Sequence, residues 1–406
     1  MNIKETIYNN FVRYVKVNTQ SDPKNAANTP STPEQWDLAK MLVKELNDLG
    51  LKNVLLTKHC YVLAELPANT AKKMPAIGLM AHMDTSSEFS GKNVKPQLHK
   101  NYKGGKINIG NNIVIDPAKD TKLKLCKGHD IVTAGGDTLL GADDKAGIAI
   151  VMAVLKYFKE NPALKHGPVK IAFTPDEEIG HGSALMPLDT FKADFAYTLD
   201  SDVINIGYGN FNADACAVTI TGVNTHPGQA KGVLVNPLLV AAEIITNWPK
   251  KHRAEHTDKE KGFIHFNDIS GNIEKVTLKA IVREHDLKKM FALERELKTL
   301  CKKIESKYKG AKIDVVYKES YRNMKDVLKK YPAALNLLIK ALKEEKTKYQ
   351  LEQVRGGTDG ARLSFRGLPT PNLFSGSSGW HGPYEWASLD KMAETFRICL
   401  NIVKER

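Results

Sequence analysis

The chain of 406 residues contains no run of the ~18 apolar residues that a membrane-spanning helix requires. Met1 to Gln20 is a polar amphipathic segment with neither the apolar core nor the cleavage site of a secretory signal. Cysteine is sparse. Cys60, Cys126, Cys216, Cys301 and Cys399 are odd in number, widely spaced and without a C-x-x-C pair. That argues against a disulfide framework and a cysteine-built zinc knot, and it points to reduced thiols in a cytoplasmic protein. There is no internal repeat and no low-complexity tract. Acidic residues are in deficit, 46 Asp and Glu against 59 Lys and Arg, for a formal net charge of +13. The basic surplus is not gathered into one block. In Lys288–Lys309 the lysines are mixed with glutamates, the pattern of a solvated surface rather than of a nucleic-acid or membrane contact.

What is present is ordinary globular material, 42% hydrophobic and 26% charged, in a chain long enough for two domains. Helical spacing of Ile7, Phe11, Val12 and Val15 predicts a helix over 3–17. A second helix is expected over 34–49, stopping at Gly50. Short apolar runs at 61–66, 76–81, 169–173 and 195–199 read as strands, and 148–158 reads as a buried helix. Strands alternating with helices indicate an α/β sheet. After about Asn212 the order becomes strand 215–221, helix 236–248, strands 263–269 and 275–282, helix 286–308 and strand 312–317. That β-α-β-β-α-β order is the ferredoxin-like unit. The expected organisation is a catalytic domain in two parts, 1–212 and 323–406, interrupted by an inserted ferredoxin-like α+β domain over 213–322. Helices near 332–343 and 389–403 close the chain.

The strand candidates share a property. Ala76–Ala81 runs into His82-Met83-Asp84, Val169–Phe173 into Asp176-Glu177-Glu178, and Phe195–Leu199 into Asp200. Pro371–Phe374 leads on to His381, and Asp143-Asp144 precedes the helix at Ile148. Ligands of open α/β sheets bind outside the carboxyl ends of the strands. Histidines and carboxylates at several such ends could therefore converge although they lie far apart in the chain. Each has a bland reading alone: a hydrogen-bonded structural histidine, a helix N-cap, a turn aspartate, a solvated acidic loop. Together the residue types suit zinc. Two histidines and three carboxylates can hold a metal pair if one carboxylate bridges.

These residues stand in segments that resemble the zinc-dependent M20 metallopeptidase family. The segments are His82-Met83-Asp84-Thr85, LLGADDKAG at 139–147, PDEEIG at 175–180, YTLD at 197–200, THPGQAKG at 225–232, RGGTDGA at 355–361, LPTPNLF at 368–374 and His381-Gly382. Several are closest to the family's tripeptide aminopeptidases. The resemblance implies a zinc-peptidase-like catalytic domain with an inserted lid or dimerisation domain. It implies two Zn2+ per subunit, with Mn2+ or Co2+ also admissible at an N/O site. One zinc would be held by His82 and Asp200, the other by Glu178 and His381, with Asp143 bridging. Asp84 would hydrogen-bond the outer nitrogen of His82. Glu177 would be the general base for a zinc-bridging water. An unusual, cis, peptide bond is expected at Asp143-Asp144. His226 would help hold the oxyanion, and Arg283 and Arg355 the terminal carboxylate of the peptide. Gly356, Gly357 and Gly360 would let backbone approach substrate. The implied activity is release of the N-terminal residue from short peptides, chiefly tripeptides, by a protein that takes neither nucleic acid nor membrane and allows a homodimer. The chain departs from the family pattern at Ser201-Asp202, at Ser377–Trp380 and at Pro383-Tyr384, positions that bear on subsite shape. Two other readings are an M20-type amidohydrolase acting on a different amide and a nonenzymatic polyanion-binding protein. Salt-dependent binding without metal would mark the second of these.

Overall fold

The computed structural model of the chain describes residues 2–405. It divides into two compact units. One comprises Met1–Tyr208, Met324–Glu352 and Thr358–Arg406; the other comprises Gly209–Asn323 with Gln353–Gly357.

The first unit is built on a sheet of eight strands, in the order Lys52–Leu56, Val62–Leu66, Val169–Thr174, Ile77–His82, Phe195–Ser201, Asn372–Phe374, Asn205–Asn210 and Gln350–Val354. Four neighbours in the middle are parallel: Val169–Thr174, Ile77–His82, Phe195–Ser201 and Asn372–Phe374. The strand Ile77–His82 is buried at every position, because both faces of the sheet are covered. Ile77, Leu79 and Ala81 pack into the larger core with the helices Ile3–Val15, Gln35–Leu49, Ala142–Glu160, Ala333–Glu344 and Leu389–Val403. Met80 points the other way, to a smaller cluster with Tyr61, Ala172, Phe191 and Leu363. A side chain at Gly78 would put its Cβ 2.6 Å from that of Ala196, so this strand can pack as it does only with glycine there. Gly50 ends the second helix with φ 82°, as its place after the last apolar position predicts.

The helix expected from Ile148 begins earlier, at Ala142. It carries non-helical angles at Asp143 and Asp144 and a cis peptide bond between them. Periodicity could not give this start, because Ala146 to Leu155 are all buried and the helix has no polar face there. Also missed was a small sheet of Gln97–His99, Ile131–Thr133, Trp386–Ser388 and Ser377–Ser378, with a hairpin of Ile107–Gly110 and Ile113–Ile115. Strands this short hold too few positions for alternation to register.

The second unit has the strands Asn212–Thr221, Phe263–Gly271, Lys275–Glu284 and Lys312–Tyr321 and the helices Pro237–Asn247 and Leu287–Glu305. All neighbouring strands pair antiparallel, with Asn212–Thr221 between Lys275–Glu284 and Lys312–Tyr321. This is the ferredoxin-like arrangement that the element order predicts. Its long helix buries Met290, Leu293, Leu297, Cys301 and Ile304, whereas Leu300 is only partly buried. Leu297 is fully buried at the centre. Leu297→Ala should therefore cost about 2–5 kcal/mol of unfolding free energy, read from urea denaturation, through lost burial and the cavity left behind.

Candidate metal centre

The carboxyl ends of the four parallel strands carry the chemistry. His82 closes its strand, Asp200 is the penultimate residue of Phe195–Ser201, and Glu177 and Glu178 follow Val169–Thr174 in a short 3-10 turn. His381 lies beyond Asn372–Phe374, with φ 62°, a left-handed conformation uncommon for any residue but glycine.

Their side chains meet. His82 Nε2 lies 2.9 Å from Asp143 Oδ1 and 3.9 Å from Asp200 Oδ1. His381 Nε2 lies 2.9 Å from Glu178 Oε2 and 3.6 Å from Asp143 Oδ2. Asp143 thus presents one oxygen toward each histidine. Two sets of donor atoms are close enough to share an ion: His82 with Asp143 and Glu178, and His82 with Glu177 and Asp200.

The donor set fits divalent metal. Burial, followed by the charge of Asp143, pushes the Glu178 carboxyl up to about 7, and the same two causes push Asp200 up strongly. Hydrogen bonds to the carboxylates of Asp143 and Glu178 push His381 up to about 11. Carboxylates pressed together in a buried place repel one another, and a cation among them relieves that repulsion. The buried Oε1 of Glu178 has no hydrogen-bond partner among the described residues, an uncommon condition that a metal bond would satisfy.

The orientation of the histidines is set from behind. His82 Nδ1 lies 3.0 Å from the backbone carbonyl of Asp84. A carbonyl only accepts, so Nδ1 carries the proton and Nε2 keeps its lone pair for a metal. The Asp84 carboxylate, expected to bond this nitrogen, stands further off at 3.4 Å. Its oxygens instead accept the backbone amides of Glu177, at 3.0 Å, and of Glu178, at 3.2 Å. Nδ1 of His381 faces Glu88 at 3.4 Å, a contact with no signal in the sequence beyond an acidic residue in a loop. Asp144 is fully buried and accepts the amides of Gly147 and His82, which gives it a bracing task.

Other residues, given no role of their own by the sequence, hold the same loops. The Glu385 carboxylate, 1% exposed, accepts the amides of Leu140, Gly141 and Asp143. Asp176 accepts from Ser31 and Gln35, which pins the polar segment after the first helix beside the Glu177 turn. Buried Asp359 accepts from Thr174 Oγ1. The unexpected residues have partners too. Asp202 pairs with Lys122, whose ammonium lies 5.8 Å from the centre of the Trp380 ring, and Trp380 Nε1 donates to Ser377 Oγ at 2.8 Å.

The remaining predicted residues belong to the second unit. His226 is exposed, and its Nδ1 accepts the Gly228 amide at 3.1 Å, so the proton sits on Nε2 as a donor. Arg283 Nη1 donates to Val282 O at 2.9 Å, and its guanidinium lies over Tyr321. Arg355, expected in the closing part of the first domain, groups with the inserted unit. Its Nη1 donates to the carbonyls of Lys259 and Lys261 and its Nη2 to Thr257, and the group lies over Phe211 and Phe263. Arg355 therefore has a structural task of its own. Of the glycines beside it, Gly360 is required by the protein itself, since a Cβ would lie 2.4 Å from Thr370 O, and a Cβ on Gly357 would lie 2.9 Å from the Tyr321 ring. Only Gly356 has open space around it. Among the described residues no helix is long and apolar enough to cross a membrane.

Comparison with known proteins agrees with this geometry. The chain is 41% identical over 405 residues to a protein named peptidase T from Geobacillus sp. (strain WCH70), covering 99% of this chain and 98% of the relative. It is 42% identical over 399 residues to peptidase T of Clostridium perfringens (strain 13 / Type A), covering 98% of each. The fold is shared with the crystal structure of aminopeptidase PepT from Bacillus cereus, with TM-score 0.76 and 23% identity over 98% of both chains. It is shared also with a tripeptidase from Staphylococcus aureus, with TM-score 0.77 and 20% identity, covering 98% of this chain and 97% of that one. A Bacillus subtilis dinuclear metal-binding peptidase from the M20 family matches with TM-score 0.64 and 14% identity over 98% of both chains. The pattern of Peptidase family M20/M25/M40 matches residues 139–405, a span that holds Asp143, Glu177, Glu178, Asp200 and His381, and with these relatives it shows that the chain belongs to the M20 family of peptidases.

Proposed function

We propose that the chain is an aminopeptidase that holds two zinc ions and releases the N-terminal residue of short peptides, chiefly tripeptides. The observation that carries this reading is Asp143, whose two oxygens face two different histidines while Glu177 lies in the same cluster without facing either histidine in an ion pair. His82 and Asp200 would hold one ion, Glu178 and His381 the other, and Asp143 both. Bound there, the metals would polarise the scissile carbonyl and acidify a water. Glu177 takes that water's proton and hands it to the leaving amine. Burial pushes its carboxyl up more than any other cause and so favours holding a proton. His226 would donate from Nε2 to the oxyanion. Arg283 is better suited than Arg355 to the terminal carboxylate of the peptide, because the Arg355 guanidinium is taken up by Thr257, Lys259 and Lys261. The reading places the protein in the cytoplasm, in keeping with five free, buried cysteines, and allows a homodimer.

The test is hydrolysis of a matched dipeptide, tripeptide, tetrapeptide and N-acetylated tripeptide, with zinc and with a chelator. Cleavage confined to the free tripeptide, abolished by chelation and restored by zinc, is the expected result. Metal-dependent cleavage of another amide with no release from the tripeptide would overturn the peptide reading and leave the metal site standing.

A further inference from the structure

Two buried carboxylates beside the metal cluster are not ligands, and both are spent on backbone amides. Asp84, two residues after His82, accepts the amides of Glu177 and Glu178. Glu385, four residues after His381, accepts Leu140 N at 2.7 Å and Gly141 N at 2.8 Å on Oε2, and Asp143 N at 3.0 Å on Oε1. Each carboxylate thus stands just after one histidine and reaches the backbone of carboxylate donors brought from elsewhere in the chain.

Burying Glu385 is costly, since an ionised carboxylate out of water needs several donors or a cation to compensate. Three amides serve as donors, and Lys145, 1% exposed, lies within the electrostatic reach of Glu385, although burial lowers its own ammonium to about 7. The Lys145 ammonium donates to Val17 O at 2.8 Å and lies beside Gly141, where a Cβ would be 3.6 Å from Nζ. Gly141, with φ 78°, stands at the start of the helix, where backbone amides have no intrahelical partners. A water or a neutral side chain could satisfy one of these amides. A single carboxylate that takes three of them fixes their relative positions, because its two oxygens belong to one rigid planar group.

We propose that Glu385 is a positioning residue for the metal centre: by gathering the amides of Leu140, Gly141 and Asp143 it holds the Asp143 backbone where its side chain can serve two metals at once. Glu385 touches neither substrate nor metal. It ties the turn bearing Asp143 to the loop bearing His381, as Asp84 ties the Glu177-Glu178 turn to the strand bearing His82. This inference rests on the two-metal reading above.

Glu385→Gln tests it with little change of volume. One oxygen becomes an NH2 group, which cannot accept an amide and meets an N–H head-on. Zinc affinity, measured by competition with a chromophoric chelator, should fall about 10–100-fold, the range seen when an outer-shell partner of a metal ligand is lost. The absorption spectrum of the cobalt-substituted protein should change with it, because the coordination at Asp143 is distorted. Glu385→Asp keeps the charge but draws it back by one methylene, and should fall between the two; it also serves if the glutamine variant does not fold. Zinc affinity within twofold of wild type and an unchanged cobalt spectrum, even with a lowered melting temperature, would reduce Glu385 to a fold-stabilising residue and overturn the proposal. Failure of the wild-type protein itself to bind two metals would instead strike the reading on which it rests.

Discussion

Glu177→Ala should remove peptide turnover while leaving metal content close to that of the wild type. The rate loss expected from deleting a general base is about 10²–10⁴-fold in kcat. The variant separates two roles that the cluster leaves open to this side chain, because Glu177 lies close enough to His82 and Asp200 to share an ion with them. Its neighbour Glu178 faces His381 at 2.9 Å, whereas Glu177 has no such contact with either histidine. The backbone supports a division of labour. Asp84 holds the amides of both glutamates, so the turn that carries them is fixed by one brace. A carboxyl pushed up by burial and by the charges of Asp359, Glu178 and Asp84 holds a proton more readily than a free glutamate. Steady-state kinetics on a tripeptide, run beside atomic emission analysis of the same protein, decides the matter. Wild-type turnover would sink the assignment as base. A variant that loses one metal along with activity would make Glu177 a ligand.

Much of this site can be read in the sequence, for a physical reason. A parallel sheet places the carboxyl ends of its strands along one edge, so chemically apt residues that follow apolar runs are brought together by topology alone. His82, Glu177, Glu178 and Asp200 were found in this way, and their strands are buried and easily seen. His381 is harder: its strand is only Asn372–Phe374, and the histidine lies several residues beyond it. The braces were not legible at all. Glu385, Glu88 and Asp176 act on backbone or on a histidine from distant parts of the chain, and an acidic residue in a loop has no pattern that marks it as buried. Asp84 was legible as a partner of His82, but its second task depends on amides 93 and 94 positions away. In the second unit the ferredoxin-like order could be read from element sequence. Which of Leu300 and Cys301 is the more buried could not, since 3.6 residues per turn leave both positions near the apolar face.

Asp143→Ala should lose metal and activity together, and by more than any change at a residue that faces a single histidine. The reason is geometric. Asp143 Oδ1 lies 2.9 Å from His82 Nε2 and Oδ2 lies 3.6 Å from His381 Nε2, so one substitution removes a donor from each half of the centre. Asp200 and Glu178 face one histidine each, so Asp200→Ala or Glu178→Ala removes a donor from one half only. The same two imidazoles hold the Asp143 carboxyl well below the usual carboxylate range, overcoming the opposing effect of burial, so it is ionised wherever the enzyme would work. Loss of affinity should exceed the roughly 10–100-fold expected for an outer-shell residue such as Glu385. Asp143→Asn is the sharper variant, because it keeps the shape and one oxygen but gives up the charge and the second donor. It should retain at most one metal per chain and show no measurable tripeptide cleavage. Metal titrations followed by atomic emission, with Glu178→Ala and Asp200→Ala alongside, give the ranking directly. Two tightly held metals in Asp143→Ala would show that the carboxylate does not bridge, and the pairing of ligands built around it would have to be redrawn.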